Sequence, residues 1–356
     1  MTPDLFQSFL LKWFQKNGRK HLPWQNPRTP YRVWLSEVML QQTQVATVIP
    51  YFNEFIKHFP DIKALATASL DQVLQKWAGL GYYARARNLH KASQTIMAEH
   101  QGQVPNTVEA LESLPGIGRS TAGAIISLAF NQPAAILDGN VKRVLCRIHG
   151  ISGWPGSPAV MQILWELTET YISKSAPADY TQAIMDFGSL LCTRTQPKCD
   201  QCPVQSGCIA YQQQKVDQYP TPKPLQTLTR QSMQALVLVN EEQNIFLEKR
   251  PPVGIWGGLW SLPHCPADHD IQTWCHENYQ CTTQKTIQYP IIKHSFTHFH
   301  LDITPVICHV QLDNPNVIQD YSTRGWFTQR AVLQEKGLAA PIKKLLHSLE
   351  LLHLNN

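Results

Sequence analysis

No stretch of this 356-residue chain approaches the roughly 18 uncharged apolar residues that a membrane-crossing helix requires, so no membrane span is expected. The opening residues, MTPDLFQSFLLKWFQKNGRKH, lack the basic start, apolar run and small-residue cleavage site of a secretory leader. Leu5, Phe6, Phe9, Leu10 and Trp13 instead share one helical stripe. A cytoplasmic chain is therefore expected, and its nine cysteines are not expected to pair as disulfides. Nothing in the first 190 residues alternates like a strand, so an essentially all-α region is expected there. Acid is locally scarce: Glu37 is the only carboxylate among residues 5–53.

The length predicts two domains. Helical periodicity runs over 4–16 and over 31–48, where Trp34, Val38, Gln41 and Val45 share a face that Glu37 borders and Pro50 marks the boundary. Asp61 to Trp77 reads as one or two short helices, and another helix runs from the Gly81-Tyr82-Tyr83 turn to Glu99. Asn106 and Glu109 have capping-box spacing, Gly150 closes a helix carrying Val141, Val144, Leu145 and Ile148, and 158–172 and 178–190 add two more. Residues 213–232 are polar and proline-rich, a linker. Beyond it the pattern changes. Residues 235–239 and 245–248 predict a β-hairpin, 291–293, 301–310 and 325–327 further strands, and 339–353 a closing helix. The expected division is an all-α domain over 1–212 and an α+β domain over 233–356. Residues 1–212 hold 19 Lys/Arg against 14 Asp/Glu and the remainder 12 against 12, so the excess positive charge lies where a polyanion would bind.

Chemistry converges on Ser113 to Arg143. Gly116 and Gly118 form a tight turn ahead of a helix whose free N–H groups suit a phosphate. Asp138 precedes the next helix, whose positive end is expected to lower its pKa, whereas Glu37 beside an apolar face is expected to have a raised one. Asp138 or Asn140 would equally serve as a plain helix N-cap. Cys192, Cys199, Cys202 and Cys208 place four thiols within 17 residues. Zinc and a [4Fe–4S] cluster both accept such a set, and the single short pair with long unequal spacers favours iron–sulfur.

The glycine turn, the aspartate about 20 residues on and the C-x6-C-x2-C-x5-C loop together resemble the helix-hairpin-helix DNA glycosylases of the endonuclease III superfamily, and within it the MutY-type adenine glycosylases. Residues 19–45, 77–92, 114–125 and 136–145 carry the likeness, as do RPPVGIWGGLW and HSFTHFHLD further on. The resemblance implies removal of adenine mispaired with 8-oxoguanine, or with guanine, from double-stranded DNA by a monomer carrying a [4Fe–4S] cluster. It implies Glu37 as general acid, Asp138 as stabiliser of the cationic sugar, electrostatically or through a transient covalent bond, and Asn140 as the residue orienting the pair. A polyanion contact would come from Gly116, Gly118 and Ser120, and the estranged pair would meet Gln41, Gln42 and the inserted Tyr82. Arg19, Trp24 and Arg28 match or neighbour positions lining the adenine pocket. Related lyases carry a lysine where Ser120 stands, and a hydroxyl cannot form their Schiff base, so a monofunctional enzyme is expected. A bacterial, nucleoid-associated protein is expected from the same likeness.

Residues 233–353 resemble the Nudix-like domain of those enzymes. Between Gly254 and Lys285 the acids are Asp268, Asp270 and Glu277, without the G-x5-E-x7-R-E-x2-E-E box, so pyrophosphohydrolase activity is expected to be absent. By resemblance, Phe296, Thr297 and His298 form the loop reading 8-oxoguanine, with a threonine where the family has serine. The rival readings are a pyrimidine-lesion glycosylase/lyase, opposed by Ser120, and a non-catalytic mismatch-binding protein, opposed by the presence of Glu37 and Asp138.

Overall fold

The computed structural model describes residues 1–225, 227–313 and 322–353, the last four by backbone alone. The chain divides into two compact units, Met1–Thr67 with Asn88–Leu225 and Ala68–Arg87 with Gln226–Asn356. In chain order the helices are α1 (Pro3–Asn17), α2 (Pro30–Leu40), α3 (Val45–His58), α4 (Ile62–Thr67), α5 (Leu70–Trp77), α6 (Ala84–Glu99), α7 (Val108–Glu112), α8 (Arg119–Phe130), α9 (Gly139–His149), α10 (Pro158–Thr170), α11 (Pro177–Leu190) and α12 (Ile209–Gln212). In the second unit follow β1 (Thr229–Val239), β2 (Ile245–Lys249), β3 (Trp260–Ser261), β4 (His264–Pro266), α13 (Ile271–Tyr279), β5 (Cys281–Gln288), β6 (Ile292–Ser295), β7 (Phe299–Leu312), β8 (Arg324–Phe327), α14 (Gln329–Glu335) and α15 (Ala340–His353). No described helix is long and apolar enough to cross a membrane.

The first unit is built around α11, against which α1, α8 and α9 pack. Tyr180, Ala183, Ile184 and Phe187 are buried on several of its faces, as a helix with neighbours all round requires. Trp13 of α1 meets Phe187 edge-on at 5.2 Å. Gly188 sets how closely α9 can approach, because a Cβ there would lie 2.6 Å from Cβ of Asn140.

Three local expectations fail. The helical run over 31–48 is two helices: α2 stops at Leu40, Gln42 turns at φ +56°, and α3 starts at Val45. Pro50 is no boundary but lies inside α3, where its missing N–H costs one internal bond. The cap of α7 is Thr107, whose hydroxyl accepts from Ala110 N–H at 3.3 Å, one residue after the expected Asn106.

The second unit is a mixed sheet in the order β3-β2-β1-β7-β5, with β4 on β1, β6 on β7 and β8 on β2. β1 and β7 run parallel, Thr229 opposite Phe299 through Val239 opposite His309. Ala235 to Val239 are buried on both faces, which explains an apolar run without alternation. Since β1 begins at Thr229, the last four residues of the expected linker are strand. β5 was missed because Cys281–Gln288 presents few apolar side chains, and backbone pairing with β7 is what makes it a strand. Residues 68–87 group with this unit. Lys249 Nζ lies 2.6 Å from Asp71 Oδ1, Gln75 donates to Gln334 O at 2.7 Å, and Arg87 donates to Gly257 O at 2.6 Å.

Candidate active site

A cavity of about 550 Å³ opens within the first unit. Glu37 and Leu40 reach it from α2, Ser120 and Thr121 from the start of α8, Asp138 and Asn140 from the start of α9, Gln182 and Ser189 from α11, and Arg19 and Trp24 from the segment after α1. Four helices thus bring together residues more than a hundred positions apart.

Its two carboxylates are treated differently. Glu37 keeps some surface open to the cavity but is otherwise enclosed by buried Val33, Trp34, Ser36 and Val38 of its own helix and by its neighbours. Desolvation, with the nearby charge of Asp138 adding to it, pushes its carboxyl from 4.5 up to about 8. No donor among the described residues offsets this. Asp138 is the N-cap of α9: Oδ1 accepts from Val141 N–H at 2.8 Å, Oδ2 from Asn140 Nδ2 at 3.0 Å, and Asn140 N–H adds a third bond. The expected lowering of its pKa is overturned in net direction. Desolvation raises it and outweighs these bonds and the Arg143 charge, all of which lower it. The donors still mark Asp138 as the member of the pair that ionises first, leaving Glu37 to hold the proton. Capping and cavity lining are therefore one position, not alternatives.

Other expected site residues fall at different distances from this centre. Ser120 lines the cavity, and its hydroxyl accepts from Leu137 N–H at 2.9 Å. Gly116 has φ +80°, which favours glycine, and a Cβ there would lie 2.7 Å from Cβ of Asn88; Gly118 is the N-cap of α8. Gln41 lines the cavity and donates to Thr121 Oγ1 at 3.3 Å, while Gln42 projects exposed from its turn. Trp24 is buried against Phe52, ring to ring at 5.3 Å. Arg28 is exposed and is not among the residues lining the cavity. Arg19 lines it but is committed to Asp186, with Nε at 2.8 Å and Nη2 at 2.5 Å from Oδ1 and its backbone N at 2.7 Å from Oδ2.

Asn140 is held from behind. Its Oδ1 accepts from Arg143 Nη2 at 2.8 Å, and Arg143 also donates to Gly188 O at 2.6 Å and Cys192 O at 2.8 Å. One turn on, Arg147 is buried and donates to Thr193 O at 2.7 Å, Arg194 O at 3.1 Å and Tyr219 O at 2.8 Å, with Nη1 at 3.4 Å from Cys192 Sγ. Cys192, Cys199, Cys202 and Cys208 line one small cavity with Val144, Ile148 and Phe187. Burial, the largest effect, and mutual repulsion raise Cys199, Cys202 and Cys208, with Cys202 pushed up to about 12. Four thiolates here would need a cationic group among them.

In the second unit, Tyr82 sits at φ +50° with 47 % of its surface exposed, so it is no core tyrosine. Arg85 lies between it and Trp77, 5.3 Å and 5.4 Å from the two rings. Thr297 and His298 are exposed at the tip of the β6–β7 hairpin, while Phe296 is partly buried and stacks on Phe299 at 4.7 Å.

Residues 35–170 match the HhH-GPD superfamily of base excision DNA repair proteins, and residues 234–348 match the NUDIX domain. An adenine DNA glycosylase of Buchnera aphidicola (subspecies Acyrthosiphon pisum, strain APS) is 38% identical over 351 residues, covering 98% of either chain. The chain belongs to the adenine DNA glycosylase family. The mouse member is 47% identical over 216 residues, 58% of this chain and 42% of its own. A thermostable thymine-DNA glycosylase superposes with a TM-score of 0.55 at 26% identity, over 59% of this chain and 97% of that one. The helix-hairpin-helix glycosylase fold followed by a Nudix-like α/β domain is thus that of the family, with the sheet of mixed rather than purely antiparallel pairing.

Beneath the family's cavity lies a buried polar layer that sequence reasoning missed. Asp186 accepts from Gln182 Nε2 at 3.0 Å besides Arg19, and Gln25 donates to Gln182 Oε1 at 3.2 Å. The available signal was Gln182 and Asp186 at i,i+4 among the apolar positions of α11, and Arg143 and Arg147 at i,i+4 one turn beyond Asp138.

Proposed function

We propose that this chain excises adenine standing opposite 8-oxoguanine, or opposite guanine, in duplex DNA by hydrolysing the N-glycosidic bond, the first step of base excision repair. The observation that carries the reading is the pair of carboxylates on one enclosed cavity, Glu37 raised to about 8 without a donor and Asp138 held by three. Such a split assigns acid and charge stabiliser. The adenine must leave the stack to reach them. Glu37, protonated at neutral pH, gives its proton to N7 of the base. The C1′–N9 bond breaks, the base departs neutral, and ionised Asp138 balances the positive sugar. Water adds at C1′ and its proton returns to Glu37, leaving an abasic site. Asn140 positions Asp138 through its side-chain amide.

A hydrolysis without strand cleavage is supported by the cavity lining, which among the described residues includes Ser120 and no lysine. Recognition of the opposite base is assigned to Tyr82, Gln42 and the tip residues Thr297 and His298. 8-Oxoguanine carries a carbonyl at C8 and a proton on N7, and a hydroxyl with an imidazole can pair with both. Nucleotide hydrolysis in the second unit is not part of the reading. Asp270 is spent capping α13 through Thr273 N–H at 2.8 Å, Asp268 pairs with His269 at 3.0 Å, and Glu277 is exposed.

For the cysteine loop the proposed group is a [4Fe–4S] cluster. All four cysteines line one cavity, and their single short pair with long unequal spacers favours the cluster over zinc. When bound, it supplies the positive iron centre that keeps the thiolates ionised and fixes the loop from which Cys192 O receives Arg143.

The deciding experiment is a single-turnover assay on duplexes with adenine opposite 8-oxoguanine, comparing wild type with Glu37→Gln and Asp138→Asn. Loss in both variants with intact DNA binding is expected. Wild-type rates in both would sink the mechanism.

A further inference from the structure

The tip residues Thr297 and His298 are exposed, and the β6–β7 ladder that ends at Ser295 opposite His300 is closed beneath them by Phe296 N–H to Phe299 O at 2.9 Å. The ladder holds the strands, while the aim of the two tip residues beyond it depends on what packs under the turn. Phe296 supplies the contact. It stacks on Phe299, meets His294 edge-on at 4.6 Å, and faces Trp256 at 6.0 Å, while His294 faces Trp256 at 6.1 Å.

Trp256 is an unusual floor. It is only 6 % exposed, stands apart from the apolar cluster around Leu236, Phe246 and Val306, and adopts φ +54°. A bulky aromatic in the left-handed region is strained and persists only where its surroundings over-determine it, a condition found most often at functional sites. The surroundings here do so. Arg250 N–H bonds Leu259 O at 2.8 Å, Leu259 N–H bonds Trp256 O at 3.0 Å, and Gly258 N–H bonds Pro251 O at 3.1 Å. Arg87, five residues after Tyr82, closes the loop from outside by donating to Gly257 O at 2.6 Å. The same loop therefore touches the hairpin through Trp256 and the Tyr82 segment through Gly257.

We propose that Trp256 is a positioning residue for recognition of the base opposite adenine: seated in the loop that Arg87 holds, it fixes the Phe296–His298 tip in register with Tyr82 and so sets the preference for 8-oxoguanine over guanine. This rests on the proposed reading of Thr297 and His298. A residue that merely supported folding would lower adenine removal equally opposite either base, whereas a positioning residue changes the ratio.

The test measures single-turnover rates with adenine opposite 8-oxoguanine and opposite guanine for wild type, Trp256→Leu, Trp256→Phe, Arg87→Gln and His298→Ala, using the full chain. Displacing a paired donor or acceptor is expected to lower the 8-oxoguanine-to-guanine ratio about tenfold in Trp256→Leu, less in Arg87→Gln, and little in Trp256→Phe, which restores the ring. An unchanged ratio in Trp256→Leu, or equal loss on both substrates, overturns the proposal while His298→Ala still lowers the ratio. If Trp256→Leu does not fold, the ratio in Arg87→Gln decides in the same way. If His298→Ala leaves the ratio intact, the reading of the tip itself fails, a distinguishable result.

Discussion

The cavity of the first unit and the hairpin tip of the second hold polar groups by opposite means. Around the cavity, Asp138, Asn140 and Arg143 form a chain of hydrogen bonds that ends on the cysteine loop, and Arg19, Asp186, Gln182 and Gln25 form another beneath it. At the tip, Thr297 and His298 stand in the open on a base of aromatic rings. The difference follows from the tasks. Bond cleavage needs charges that act in a low dielectric and cannot relax, so their partners are fixed and buried. In the proposed reading the tip residues would exchange water for DNA, which suits side chains that stay wet while only their support is packed.

The largest effect that would break this contrast is expected at Asp138. Asp138→Asn preserves the size of the cap but removes the charge, and the single-turnover rate should fall by about a thousandfold or more with the melting temperature little changed. A comparable rate would mean that the buried network serves folding alone. Next comes pH. In the proposed mechanism Glu37 acts protonated, so kcat/KM should decline about tenfold per unit above a pH of about 8, and Glu37→Gln should lose both the activity and that alkaline limb. The same group should make stability pH-dependent. Its folded value lies above the unfolded 4.5, so its favourable contribution is complete below 4.5 and is lost as pH rises to about 8. Glu37→Gln should therefore melt higher than wild type at alkaline pH and nearly equal to it at pH below 4.5, as calorimetry would read.

A third comparison sets the two groups of cysteines apart. Cys192, Cys199, Cys202 and Cys208 line a cavity beside arginines, whereas Cys265, Cys275, Cys281 and Cys308 are packed inside the apolar cluster of the second unit. Cys202→Ala should abolish bound iron, measured by metal analysis and visible absorption. The smallest effect is expected at Cys308→Ala, which should leave iron and activity in place and cost about 1–2 kcal/mol in denaturant unfolding, since a buried thiol there acts as a small hydrophobe. Iron retained in the first variant, or lost in the second, would erase the distinction.

Glu37 was legible because it is the lone acid of a long stretch on the edge of an apolar face, and its raised pKa follows from that placement. Asp138 was legible as a position but not as a pKa. A helix N-terminus lowers a carboxyl, yet how far burial opposes it depends on α2 and α11 closing over the site, which no local pattern states. Arg28 illustrates the converse, a residue four positions from Trp24 that stays exposed and outside the cavity lining. The break between α2 and α3 was hidden because Gln41 and Val45 keep helical spacing across a turn. β5 was hidden because its side chains are polar and only its backbone pairs.

By itself the sequence determined the two kinds of architecture, the four-thiol loop, the glycine turn and the two carboxylates, since periodicity, spacing and residue chemistry are local. Only the tertiary structure decided that residues 68–87 group with the second unit, that Arg143 ties Asn140 to the cysteine loop, and that Trp256 lies under the tip. These contacts, Arg87 to Gly257, Arg143 to Cys192 and Trp256 to Phe296, join groups far apart in the chain and exist only once helices and strands have packed.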